Sequence, residues 1–239
     1  MKKIVLATVC AMAMTGAAFA QGNVAWSSIS AAFMTAQTNS TQYSPFFGGA
    51  AAVGGVVGSA GGAASLGTGF YYELLYTGFS GTQATIPNLG SLFSWQDTGL
   101  SASNSTTAGR LSVINGNAGA AVPWSPGITD SIVLVGWSAN LGASWGVVSN
   151  ELAHPSTLAS VLAGQEGFLG VSTTGYITTL STATSPGAAV FAGGLSAQGL
   201  PINSLNTQLY LLPVPEPATM ALLGLGGLSL LLFRRSRKS

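Results

Sequence analysis

Hydrophobic positions alternate with a period of two in several stretches of the chain. In residues 70–76, Phe70, Tyr72, Leu74 and Tyr76 fall on one face, and Tyr71, Glu73 and Leu75 on the other. Successive side chains of a strand point to opposite faces, so this alternation predicts a β-strand. Near the C-terminus Leu205, Thr207, Leu209 and Leu211 alternate with Asn206, Gln208 and Tyr210, the pattern of a half-buried strand. Residues 131–138 (SIVLVGWS) are apolar on both faces and rich in β-branched residues, which predicts a central strand. Residues 23–29, 91–95, 110–114, 167–171, 176–180 and 188–191 are weaker strand candidates. Helical spacing occurs in one place, at Leu152, Leu158, Val161 and Leu162, with Pro155 and Ser156 marking a start and Gly164 a stop. Short strands between Gly, Ser and Asn turns predict an all-β fold: a single β-sandwich-like domain with at most one short helix. Residues 47–69, with nine glycines, read as a strand-turn-strand edge or a loop. Glycine and alanine bury too little apolar area to favour membrane insertion, and no lysine follows the glycines to make a phosphate loop.

Composition changes this picture mainly at the two ends. Of 239 residues, 47% are hydrophobic and only 5% charged, against roughly 25% charged in an average soluble domain. The net charge of +1 conceals a segregation. Lys2 and Lys3 open the chain, and Arg234, Arg235, Arg237 and Lys238 close it. Between them Arg110 is the sole cation beside Glu73, Asp97, Asp130, Glu151 and Glu166. That acidic middle argues against nucleic acid as a partner, since phosphate binding needs clustered cations. Lys2 and Lys3, an apolar stretch over residues 4–14 and Ala18-Phe19-Ala20 predict a signal peptide over residues 1–20 with cleavage before Gln21. Cleavage would remove Cys10, the only cysteine, and with it any disulfide, thiol nucleophile or thiolate ligand. The remaining residues 21–212 are enough to bury one core, and serine and threonine supply 45 of residues 21–214.

At the other end Pro215-Glu216-Pro217 precedes an apolar run over residues 218–233, seven of them leucine, and a basic cluster over residues 234–238. As a helix the run would be about 24 Å long, which snorkelling arginines and local thinning can match to a bilayer. The basic cluster predicts a cytoplasmic end, leaving the middle of the chain outside the inner membrane. This order of parts, over residues 213–239, resembles the PEP-CTERM sorting signal of bacterial exported proteins. The resemblance implies recognition of Pro215, Glu216 and Pro217 by an exosortase, a membrane protease-transpeptidase. It implies an inner-membrane anchor before processing, then the cell surface or an extracellular matrix. It also implies a host that makes exopolysaccharide.

Candidate chemistry in the middle is sparse. His154 is the only histidine, so a structural zinc site lacks its ligands and a Ser-His-Asp triad lacks a Gly-x-Ser-x-Gly elbow. No catalytic residue, metal ligand or cofactor is expected. The five carboxylates could supply a glycosidase pair, which needs two about 5 to 9.5 Å apart. Glu73 sits among aromatics, where desolvation would raise its pKa. The plainer expectation is that it lies on the wet face of an edge strand or pairs with Arg110. Of the five tryptophans, Trp124 lies between Pro123 and Ser125-Pro126. A loop position makes it the candidate for stacking on a sugar. These readings lead to an exported non-catalytic surface or matrix protein, with an exopolysaccharide-binding module as the alternative and a glycosidase third.

Overall fold

The strand expected at the centre of the molecule is there. In the computed structural model, which describes residues 21–26, 34–42, 69–81, 85–104, 111–162, 165–181 and 186–212, β7 (Thr129–Ser138) has neighbours on both sides. Strand β3 (Phe70–Gly78) pairs with it antiparallel along its whole length, from Phe70 opposite Ser138 to Gly78 opposite Asp130. Beyond β3 come β4 (Gln96–Asn104) and β5 (Leu111–Asn115), both antiparallel. The other edge of β7 is shared by β8 (Phe168–Val171) and β9 (Gly175–Thr178). Outside β8 lie β12 (Ser204–Leu211) and then β2 (Met34–Gln42), which joins β12 in parallel. Strand β11 (Gly199–Leu200) extends β9. These nine strands make one sheet. A second sheet of three short strands has β1 (Gly22–Ala25) between β6 (Ala120–Val122) and β10 (Ala188–Ala189).

Two cores lie on the two faces of the large sheet. Phe70, Tyr72 and Leu74 from β3 and Ile132 and Leu134 from β7 meet Val24, Trp26 and Val122 of the small sheet's side. Leu75 from β3 and Val133, Val135 and Trp137 from β7 face the other way, toward Trp145, Val148, Leu152, Leu158 and Leu162. These last five come from helices α2 (Trp145–Ala153) and α3 (Pro155–Leu162). Because β7 and β3 are covered on both sides, each must be apolar on both faces. Tyr72 lies directly opposite Gly136, and a side chain at Gly136 would collide with the tyrosine ring.

The all-β expectation thus holds in its coarse form, a mostly β-sheet protein with few helices, and needs two corrections in detail. The sandwich is unequal, nine strands against three, with a helical layer on the outer face of the larger sheet. More than one short helix is present: α2, α3 and a one-turn helix α1 (Leu89–Leu92). The expected helix is α3, starting at Pro155 as marked, and the unexpected α2 precedes it and takes Leu152. Pro155 disfavours helical backbone at the residue before it, so α2 stops at Ala153 and Pro155 becomes the first residue of α3, where its missing N–H has no intrahelical partner to lose. Trp145, Val148 and Leu152 form the buried stripe of α2.

Residues 91–95 are a further correction. They hold the end of α1 and a turn, closed by Ser94 and Trp95 N–H donating to the carbonyls of Ser91 and Leu92. Asn88 caps α1, its Oδ1 accepting from Ser91 N–H at 2.8 Å, a capping preference strong enough to override the apolar residues that follow. Among the described residues no helix is long and apolar enough to cross a membrane. Residues 1–20, 43–68 and 213–239 lie outside the described set, and with them the signal peptide, most of the glycine-rich segment and the tail.

Candidate functional site

Glu73 is 6% exposed on an interior strand, which overturns the expectation of a wet edge. Arg110 is outside the described residues. The Glu73 Oε2 accepts a hydrogen bond from Trp145 N–H, the first amide of α2, at 2.9 Å. That amide has no partner within the helix, and Ser144, the residue before it, offers no side-chain cap. A carboxyl from the sheet therefore closes the helix end 72 residues away in sequence. Burial lifts the Glu73 pKa to about 7. The Trp145 amide works against that rise, and the charge and hydrogen bond of the neighbouring Asp97 reinforce it. Asp97 is exposed and also accepts from Gly99 N–H at 2.7 Å.

Burial also raises the pKa of Asp130, which is 8% exposed. His154, at the exposed junction of α2 and α3, places Nδ1 2.7 Å from the Asn150 carbonyl oxygen.

Trp124 is in a turn, as expected, but its ring is 6% exposed and stacked on Tyr76 at 4.8 Å between centroids. The Tyr76 hydroxyl donates to Gln96 Oε1 at 2.6 Å. A sugar has no open face of this indole to lie on.

A cleft of about 450 Å³ opens elsewhere, where the helix-bearing face of the large sheet runs past α1. Its floor is Ser131 of β7 and Thr77 of β3, which are opposite each other in register. Trp95, Asn88 and Ser91 border it from the α1 segment, and Thr174 from the link between β8 and β9. Ser172 places that link. Its Oγ accepts from Leu134 N–H at 2.9 Å and its own N–H donates to the Leu134 carbonyl at 2.8 Å. One residue thereby fills the gap where β7 passes from pairing with β8 to pairing with β9. The Thr174 N–H then donates to the Thr85 carbonyl at 2.7 Å, tying the link to the segment that precedes α1. Among the described residues no charged side chain borders the cleft. Ser131 is 2% exposed, and its Oγ has no hydrogen-bond partner among the described residues.

Sequence reasoning missed this cleft. The sequence pattern places Trp95 in a strand and Ser131 at the start of another, and neither position predicts a cleft. The available signal was Asn88 followed by Ser91, a capping pattern that puts Trp95 just beyond a helical turn.

Residues 213–238 match the family model of the PEP-CTERM protein-sorting motif. The chain thus carries a PEP-CTERM protein-sorting motif, which implies export and exosortase-linked processing toward the cell surface. No curated protein and no solved structure matches it.

Proposed function

We propose that this is a non-catalytic surface or extracellular-matrix protein. A signal peptide exports it, its C-terminal helix holds it in the inner membrane, and an exosortase releases it through recognition of Pro215, Glu216 and Pro217. The observation that carries this reading is the sorting motif at residues 213–238. It begins directly after β12 and the buried Leu212, where the described domain ends. That order supports a sorting segment that an exosortase can reach without opening the folded domain. The seven leucines of residues 218–233 favour insertion by a few tenths of a kcal/mol each. Glu216 belongs outside the hydrocarbon, because a carboxylate at its centre costs a few kcal/mol.

The non-catalytic part rests on the residues themselves. His154 Nδ1 faces the Asn150 carbonyl at one end of α2, and the buried Glu73 carboxyl caps the other end. Protein recovered from the envelope of its host is expected to begin at Gln21 on N-terminal sequencing. Recovery with Met1 in place would contradict export.

A further inference from the structure

We infer that the cleft between Trp95 and Ser131 binds a neutral sugar unit of a polysaccharide. This deepens the proposed function and rests on its claim that the domain works outside the cell without catalysis. Three observations converge. First, the cleft, about 450 Å³, lies within the roughly 300–1,000 Å³ of small-molecule sites. Second, its polar side chains are hydroxyls, one amide and the Trp95 indole, among them Ser131, Thr77, Ser91, Thr174 and Asn88. Hydroxyls both donate and accept, as sugar hydroxyls do, so the two sets can satisfy each other. An anionic ligand would find no cation among the described residues, which include no lysine or arginine. Third, Ser131 Oγ is buried and unpartnered at the floor of the cleft. Leaving a buried hydroxyl unpaired is costly, and a ligand hydroxyl would remove that cost.

Trp95 supplies the remaining element. It is partly buried against the core on the helix side of the sheet, which fixes its indole while part of it borders the cleft. A rigid aromatic face beside hydrogen-bonding groups suits a sugar ring, whose C–H face is apolar and whose edges are polar.

The test is calorimetric titration of the full-length protein, held in a zwitterionic detergent without a sugar head group. Neutral tetrasaccharides of glucose, mannose and galactose are compared with a tetramer of uronic acid. At least one neutral tetrasaccharide is expected to bind saturably, and the uronate is expected to bind at least tenfold more weakly. Ser131→Ala should weaken binding about fivefold, near the effect of one neutral hydrogen bond. Trp95→Phe keeps an aromatic in place and should weaken it about threefold. A circular-dichroism melt of each variant separates lost binding from lost folding.

No binding of any neutral tetrasaccharide by the folded protein overturns the inference, as does equal binding of the uronate. Unchanged affinity in folded Ser131→Ala and Trp95→Phe overturns it too. Cleavage of a bound tetrasaccharide, read by mass spectrometry of the titrand, would support the cleft and contradict the non-catalytic reading instead. Failure of sorting would appear only in cells, leaving this titration unaffected.

Discussion

Replacing Glu73 with glutamine is expected to stabilise the protein at pH 8 and to change little at pH 4. The buried carboxyl has its pKa lifted to about 7, chiefly by desolvation, while the unfolded chain titrates near 4.5. Between those values the folded state holds a proton that the unfolded state releases, so stability falls as pH rises. The stability is fully present below about 4.5 and is lost as pH climbs through about 7. A shift of that size is worth on the order of 3 kcal/mol. Glutamine keeps an oxygen for the Trp145 amide and offers an N–H to Asp97, and it never ionises. The difference between urea-unfolding free energies of wild type and variant should therefore grow from near zero at pH 4 to about 3 kcal/mol at pH 8. Taking the difference removes the contribution of Asp130, whose pKa is raised in the same direction. Parallel stability curves across that range would show that Glu73 does not titrate where its burial places it.

Gly170→Val is expected to cost about 3 kcal/mol or more. Gly170 sits in β8 between Gly136 of β7 and Leu209 of β12. A Cβ there would fall inside the van der Waals surface of the Gln208 carbonyl oxygen, and the Gln208 carbonyl carbon and Leu209 Cα would also be too close. These are backbone atoms, so no rotamer change can relieve the clash. The strands must separate, and β12 is the link through which β2 joins the sheet. Amide hydrogen exchange should accelerate in β12 and β2, with a smaller change in β3 and β7, and the urea midpoint should fall. A variant with an unchanged midpoint and protected β12 amides would mean that β8 and β12 are not packed this closely.

What the sequence disclosed follows from how much apolar surface each segment carries. β3 and β7 were legible because both of their faces are large and apolar, and the structure covers them on both sides. β4 was not. Of its described side chains Gln-Asp-Thr-Gly-Leu-Ser-Ala-Ser-Asn buries Leu100 and Ala102, and its pairing to β3 comes from the backbone, whose hydrogen bonds leave no mark in side-chain patterning. Strand β2, Met-Thr-Ala-Gln-Thr-Asn-Ser-Thr-Gln, is mostly polar in sequence and shows no apolar period-two pattern.

Glu73 was visible as an acid among aromatics, but its partner was not. Local spacing carries no information about the Trp145 amide 72 residues later. Trp124 shows the reverse failure: prolines around it mark a turn correctly, yet a turn residue can still be covered, here by Tyr76. The sorting motif was readable in full, because its parts are recognised as a linear order and need no fold.

Pro215, Glu216 and Pro217 are replaced together by alanine, and the protein is expressed in a host that has an exosortase. Intact mass is then measured on protein from the envelope and the medium. The unaltered chain is expected to lose both residues 1–20 and its C-terminal tail, whereas the alanine variant should lose residues 1–20 and keep the tail, remaining with the inner membrane. Removal of the tail at the same rate in both proteins would contradict sorting through Pro-Glu-Pro and leave residues 218–233 as an ordinary anchor.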